Sequence, residues 1–414
     1  MTLQRYKKIV SLQTVNDKNT VTSSALFKRY LAQTSTFKPF VIDVERAEGV
    51  HIWDKSEKKY IDFTSGMCAN NLGNRHPKVI SAIEKQLQKF SYTMVYGEFI
   101  QQPQVDFAQK ICSFLPSDLQ QLFYVNSGSE AIEGAIKLAR LNNHRSEIIS
   151  FKNSYHGSTM GAMSVLGNES YRSLFQPMLP DTKLLEFNNI EQLSEITEKT
   201  CCVITEVIRS GAGMELPNSA FLQALRKRCT ETGALLIFDE IQTGFGRTGK
   251  LFAFEHYLVV PDILCIAKSM GGGMPIGAFV SSIERMDRLN NGHPLLGHAT
   301  TFGGHPISCA AGLASLEIIS DPKFLAQVNR NEELIRHYFQ HPKIKEIRGK
   351  SQFLAVELDS SADIESIVKD CIENGLLLLW LLFNYQSLAL TPPLIITEEQ
   401  IKEASEIFKN ALEK

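Results

Sequence analysis

The chain has 414 residues, 43% of them hydrophobic, and a formal net charge of −2. That is ample for a core and long enough for two domains. A charge so near neutral gives no electrostatic case for nucleic acid or an anionic membrane surface as partner. The opening Met1-Thr2-Leu3-Gln4-Arg5-Tyr6-Lys7-Lys8 lacks the apolar core of a signal peptide. The longest apolar run, Leu376 to Phe383, is too short to span a bilayer. Eight cysteines scatter without a Cys-x-x-Cys pair, which suits reduced core thiols and indicates neither a zinc knuckle nor thioredoxin-type chemistry. Together these features predict a soluble cytoplasmic protein.

Residues 1 to about 48 are polar and then mixed, and read as an N-terminal arm. Gly49 to Asp54 and Lys59 to Phe63 alternate around a polar turn, as a hairpin does. Pro77 to Lys89 has helical spacing, with Val79, Ile83 and Leu87 on one side. Phe123-Tyr124-Val125 is a strand, Asn126-Ser127-Gly128-Ser129 a small-residue turn, and a helix then runs through Arg140. The strand Ile148 to Phe151 leads to Ser154-Tyr155-His156-Gly157. Val203-Ile204-Thr205-Glu206 is a buried run ending in a carboxylate. Strand-like and helical runs alternate in this way to about residue 315, the pattern of a mostly parallel sheet. Beyond it come a strand at Phe353 to Leu358 and a capping box at Thr397 to Gln400. The capped helix carries Ile401, Ala404, Phe408 and Ala411 on one face. The expected division is an arm and small-domain segment over 1–75, a large domain over 76–314 and a C-terminal small domain over 315–414.

The chemistry concentrates between Leu235 and Gly277. The apolar run Leu235-Leu236-Ile237-Phe238 ends at Asp239, and Ile263-Leu264-Cys265-Ile266-Ala267 ends at Lys268. In parallel sheets ligands sit at the carboxyl ends of strands, so acid and amine should face one crevice. Desolvation lowers a lysine's pKa and frees its amine to attack an aldehyde. A buried carboxylate needs a cation, and a protonated pyridine nitrogen is one. Pyridoxal phosphate (PLP) offers both aldehyde and pyridine. A plain ion pair between strand ends is the other reading, and spacing alone does not separate the two. Likewise, Ser127, Gly128 and Ser129 at a helix N-terminus suit a phosphate or an ordinary N-cap.

The run Asp239-Glu240-Ile241-Gln242-Thr243-Gly244-Phe245-Gly246-Arg247-Thr248-Gly249, followed by Ala267-Lys268 and Gly271-Gly272-Gly273-Met274-Pro275-Ile276-Gly277, closely resembles the class III (subgroup II) aminotransferases. The likeness extends from about Gly49 to the C-terminus. It implies the PLP fold type I: an α/β large domain on a mostly parallel seven-stranded sheet, with a small α+β domain from both chain ends. Lys268 would form the aldimine with PLP, and Asp239 would hold the pyridinium nitrogen. Ile241 would pack on one ring face and Tyr155 stack on the ring. Gln242 and Glu206 would sit by the ring hydroxyl, although Glu206 could instead pair with Arg209. The backbone of Gly128 and Ser129 would bind phosphate. The match of Thr301-Phe302-Gly303-Gly304-His305-Pro306 to the family's Thr-(Phe/Tyr)-Gly-Gly-Asn-Pro implies that Thr301 serves the phosphate of the other subunit, hence a homodimer with shared sites.

Three departures from the family fall on substrate positions: Ser158 and Ala389 replace arginines, and Gly211 replaces a glutamate. In the family the arginine at position 389 binds substrate carboxylate and is gated by that glutamate. Their joint loss is coherent, since either alone would strand a charge. The expected reaction moves an amino group from an amine or ω-amino acid to a 2-oxo acid. The alternatives are a PLP-dependent aminomutase or racemase on the same fold, or an acetylornithine or ornithine aminotransferase with a relocated anchor, for which Arg209 is the candidate.

Overall fold

The computed structural model describes residues 23–32, 42–290 and 297–414. The arm expected over 1–48 therefore lies largely outside the described residues; a short helix, Ser23–Tyr30, belongs to it.

Strands β1 (Val44–Glu48), β2 (His51–Asp54) and β3 (Lys59–Asp62) form an antiparallel meander, and its second hairpin is the one read from the alternation. The central sheet is built from β4 (Gln121–Val125), β5 (Glu147–Phe151), β6 (Thr182–Leu185), β7 (Thr200–Glu206), β8 (Leu235–Asp239), β9 (Ile263–Ala267) and β10 (Gly277–Ser281). Its order is β4-β10-β9-β8-β7-β5-β6. The pairs from β9 through β6 are parallel, and β10 runs antiparallel to both of its neighbours. This is the mostly parallel seven-stranded sheet expected.

The strands are apolar without alternation because helices cover both faces. Every residue of β7, β9 and β10 is buried. Successive side chains still point to opposite faces. Val203, Leu236, Phe238 and Leu264 enter one core, while Ile204, Ile237 and Ile263 enter another beneath helix Gly128–Asn143. Helix Pro77–Leu87 buries Val79 and packs Ile83, but Leu87 is 50% exposed. The helix ends at that residue, so the apolar stripe runs out before reaching it.

After the sheet come β11 (Ile344–Lys350), β12 (Phe353–Leu358), β13 (Leu376–Leu377) and β14 (Ser387–Leu390). β13 joins β3 in parallel, so the two chain ends share one four-stranded sheet. Their core is also common: Tyr60, Ile61 and Phe63 pack with Ile401, Ala404 and Phe408 of the capped helix Glu398–Glu413. Arg247 ties this part to the central sheet. Its side chain is fully buried and donates to the carbonyls of Gln352 and Pro392, to Ser65 Oγ and to Asn71 Oδ1. Seven of the eight cysteines are buried and all are free thiols.

Candidate active site

Five strand ends converge on one cavity of about 190 Å³. β4 delivers Ser127, Gly128 and Ser129 to its rim, and the loop after β5 delivers Tyr155. β7 delivers Glu206, β8 delivers Asp239 with Ile241 and Gln242, and β9 delivers Lys268. Nine of the ten residues expected at the site thus line a single space.

Asp239 and Lys268 lie on adjacent strands. Asp239 pairs with Cys265 across the ladder, which places Lys268 just beyond the end of β9. Lys268 takes a left-handed backbone, φ +49°, a conformation that costs a β-carbon about 1–3 kcal/mol. Its amine makes no hydrogen bond or ion pair with the described residues. The plain Asp239–Lys268 ion pair is therefore not formed. Asp239 is held otherwise: Oδ1 accepts from the Ile241 amide at 3.0 Å, and Oδ2 lies 2.7 Å from His156 Nδ1. His156 is the member that the sequence reading passed over. Its signal was its place in the Tyr-His-Gly triplet after β5.

Glu206 is buried and fully engaged. Its Oε1 accepts from the Tyr155 amide at 3.0 Å, and its Oε2 from the amide and hydroxyl of Ser210 at 2.9 and 2.8 Å. Burial pushes its carboxyl above the ordinary range, with nearby His156 opposing the shift. It does not pair with Arg209. That guanidinium reaches Glu215 and the Lys152 carbonyl instead, and lies 4.2 Å from the Phe187 ring centroid. The Gln242 amide points at Cys68 Sγ, 3.7 Å away.

At the other end, Ser127 Oγ accepts from the Glu130 amide and caps helix Gly128–Asn143. The ordinary N-cap is thus real, and it fixes the free amides of Gly128 and Ser129 at the cavity. A β-carbon on Gly128 would stand 2.8 Å from Ile241 Cδ1, so glycine lets helix end and Ile241 approach. Gly157 has φ +133°, and a β-carbon there would meet Ser129 Oγ at 2.3 Å.

Thr301 is not in this cavity. Its carbonyl accepts from Tyr92 Oη at 2.6 Å, and its hydroxyl lies 3.3 Å from Tyr96 Oη. Ala389 is buried in β14 opposite Ala355, and the Ser158 amide donates to Ser129 Oγ at 3.3 Å.

The donor set fits PLP. A helix N-terminus at one end attracts a phosphate. A buried carboxylate with a fixed neighbour suits a protonated ring nitrogen, and a lysine amine bonded to none of the described residues suits an aldehyde.

The family model for class-III aminotransferases matches residues 32–412. An acetylornithine aminotransferase of Caldanaerobacter subterraneus is 38% identical over 93% of this chain and 98% of its own. Another acetylornithine aminotransferase, from Methanocaldococcus jannaschii, is 40% identical over 91% and 94%. Among solved structures, an ornithine aminotransferase of Toxoplasma gondii superposes with a TM-score of 0.85 at 29% identity, over 99% of this chain and 96% of its own. An amine transaminase from an uncultivated Pseudomonas species, with PLP bound, gives 0.83 at 25%, over 92% and 98%. The sheet, the cavity and the extent of these matches agree: the chain belongs to the class-III aminotransferases, and its cofactor is pyridoxal 5′-phosphate.

Proposed function

We propose that the chain moves an amino group from an amine or ω-amino acid to a 2-oxo acid, with Lys268 and Asp239 as the working pair. The observation that carries this is one cavity holding a lysine amine bonded to none of the described residues beside a buried, fixed carboxylate. PLP, when bound, supplies a reactive carbonyl and an electron-withdrawing ring. With the cofactor bound, Lys268 would hold that carbonyl, and its amine, once released, would carry a proton as base and acid. Asp239 keeps the ring nitrogen protonated, and His156 fixes Asp239. The amides of Gly128 and Ser129 hold the phosphate, with Ser127 shaping the turn. Ile241 and Tyr155 would hold the ring, and Gln242 and Glu206 would serve its hydroxyl. Thr301 completes the phosphate site of a second copy, making the enzyme a homodimer. Its absence from its own cavity supports this. The cytoplasmic setting belongs to the same proposal.

A second reading follows from the relatives' names, acetylornithine aminotransferase. It needs a carboxylate anchor, and Arg209 is already held by Glu215. Borohydride reduction of the PLP-loaded enzyme should fix the cofactor to Lys268, and a label elsewhere would overturn the central role. A panel of amines against oxo-acids, with acetylornithine included, decides between the two readings. Movement of the amine within one substrate, without any acceptor, would point to an aminomutase.

A further inference from the structure

We infer that the amine donor carries an apolar tail, received by an aromatic wall built on Phe383; the inference rests on the transaminase reading above. The wall starts from the backbone. The Phe383 amide donates to the Gly211 carbonyl at 2.9 Å. Gly211 follows Ser210, which holds the cavity-lining Glu206. Phe383 therefore stands beside the segment that holds Glu206, one residue beyond Ser210. Its ring takes the space a side chain at 211 would fill: a β-carbon there would lie 2.7 Å from Phe383 Cδ2. Tyr171 packs edge-on against that ring at 5.5 Å, and its hydroxyl is 3.5 Å from that of Tyr385. Leu382, Tyr171 and Tyr385 remain 38%, 36% and 59% exposed. A ligand tail would cover these side chains, which this chain by itself leaves exposed.

Charge around the wall argues the same way. Arg209 is bound to Glu215, and Arg172 to Glu169. Arg348 donates to the Gly213 carbonyl and pairs with Glu346 and Glu357. Each of these three arginines already holds a carboxylate. A carboxylate tail would lose its water to an aromatic surface without gaining a fork-shaped donor from them.

The test compares two donors of similar reach, 4-phenylbutylamine and 6-aminohexanoate, in the half-reaction of PLP-loaded enzyme. Wild type should favour the phenyl amine in kcat/KM by at least about 10-fold, the worth of one buried apolar contact. Phe383→Ala should shrink that ratio by about 10-fold or more, mainly through KM for the phenyl amine. Phe383→Leu should fall between. If Phe383→Ala does not hold PLP, Phe383→Leu and Tyr171→Ala carry the same comparison. A wild-type preference for 6-aminohexanoate, or a ratio that no variant changes, overturns the apolar wall while leaving the transaminase standing. Turnover of no amine with any oxo-acid would instead remove the transaminase reading, and the wall with it.

Discussion

His156 Nδ1 lies 2.7 Å from Asp239 Oδ2, with the imidazole wholly buried and the carboxylate nearly so. The carboxylate accepts, so Nδ1 carries the proton, and the ring fixes the direction in which Asp239 presents its charge. Asp239→Asn keeps the shape and loses the charge. PLP should still bind, and the half-reaction should slow by at least about 10²-fold. His156→Ala leaves Asp239 charged but unheld, and should slow the same step by about 5- to 150-fold. Single-turnover absorbance measurements read both. A near-wild-type rate for Asp239→Asn would make that residue structural.

Gly157→Ala tests the phosphate end. The added methyl meets Ser129 Oγ in a backbone region that only glycine adopts easily. Strain of about 1–3 kcal/mol should weaken PLP affinity by roughly 5- to 150-fold. Titration of apoenzyme with PLP gives the number; an unchanged affinity would detach this contact from cofactor binding.

Glu240 predicts a pH effect on stability. Burial pushes its carboxyl from 4.5 up to about 7, against the amides of Ala253 and Phe254 and the Thr243 hydroxyl, which hold it down. A raised pKa in the fold gives stability that is complete below about 4.5 and is lost as pH rises through about 7. The loss is about 3 kcal/mol, at 1.36 kcal/mol per pH unit. Glu240→Gln sets an amide donor against those same donors and should be less stable throughout. The advantage of wild type over that variant should shrink across the window, as thermal unfolding at successive pH values would reveal. A constant advantage would contradict the assignment.

Thr301 predicts complementation. Chains carrying Lys268→Ala and chains carrying Thr301→Ala, refolded together, should build one hybrid site with both residues intact. Activity above either parent is the expected outcome. An active monomer in sedimentation would refute the shared site.

The substrate positions predict a coupled rescue. Acetylornithine with 2-oxoglutarate should be a poor pair, because a missing charged hydrogen bond costs about 1.5–3 kcal/mol, roughly 10- to 150-fold. Ala389→Arg with Gly211→Glu should help little while Phe383 fills the space at 211. Adding Phe383→Ala should release the gain in 2-oxoglutarate use. Ordinary efficiency of the unaltered enzyme with acetylornithine would sink this account.

Much of this was legible in the sequence because each apolar run of the sheet ends in one chemically distinctive residue. Asp239, Lys268 and Glu206 could be placed at strand ends from their runs alone. The sheet order was not legible: β10 is inserted antiparallel between β4 and β9, and strand composition carries no sign of direction. Contacts between distant segments were equally hidden. His156 and Asp239 stand 83 positions apart, and neither neighbourhood names the other. Arg209 looked available because the Ser210-Gly211-Ala212-Gly213 turn is legible in the sequence but its return of Glu215 to Arg209 is not.

Arg247 has a consequence for how the protein is made. Its guanidinium is closed to water and bonded to residues 65, 71, 352 and 392, which come from both sides of it along the chain. Burying that charge without its acceptors is costly. During synthesis the Pro392 carbonyl is the last of these acceptors to leave the ribosome. The central sheet can therefore assemble early, but its junction with the terminal sheets must stay open until then. A chain cut short before Pro392 should remain a target for proteases rather than persist as a smaller working enzyme.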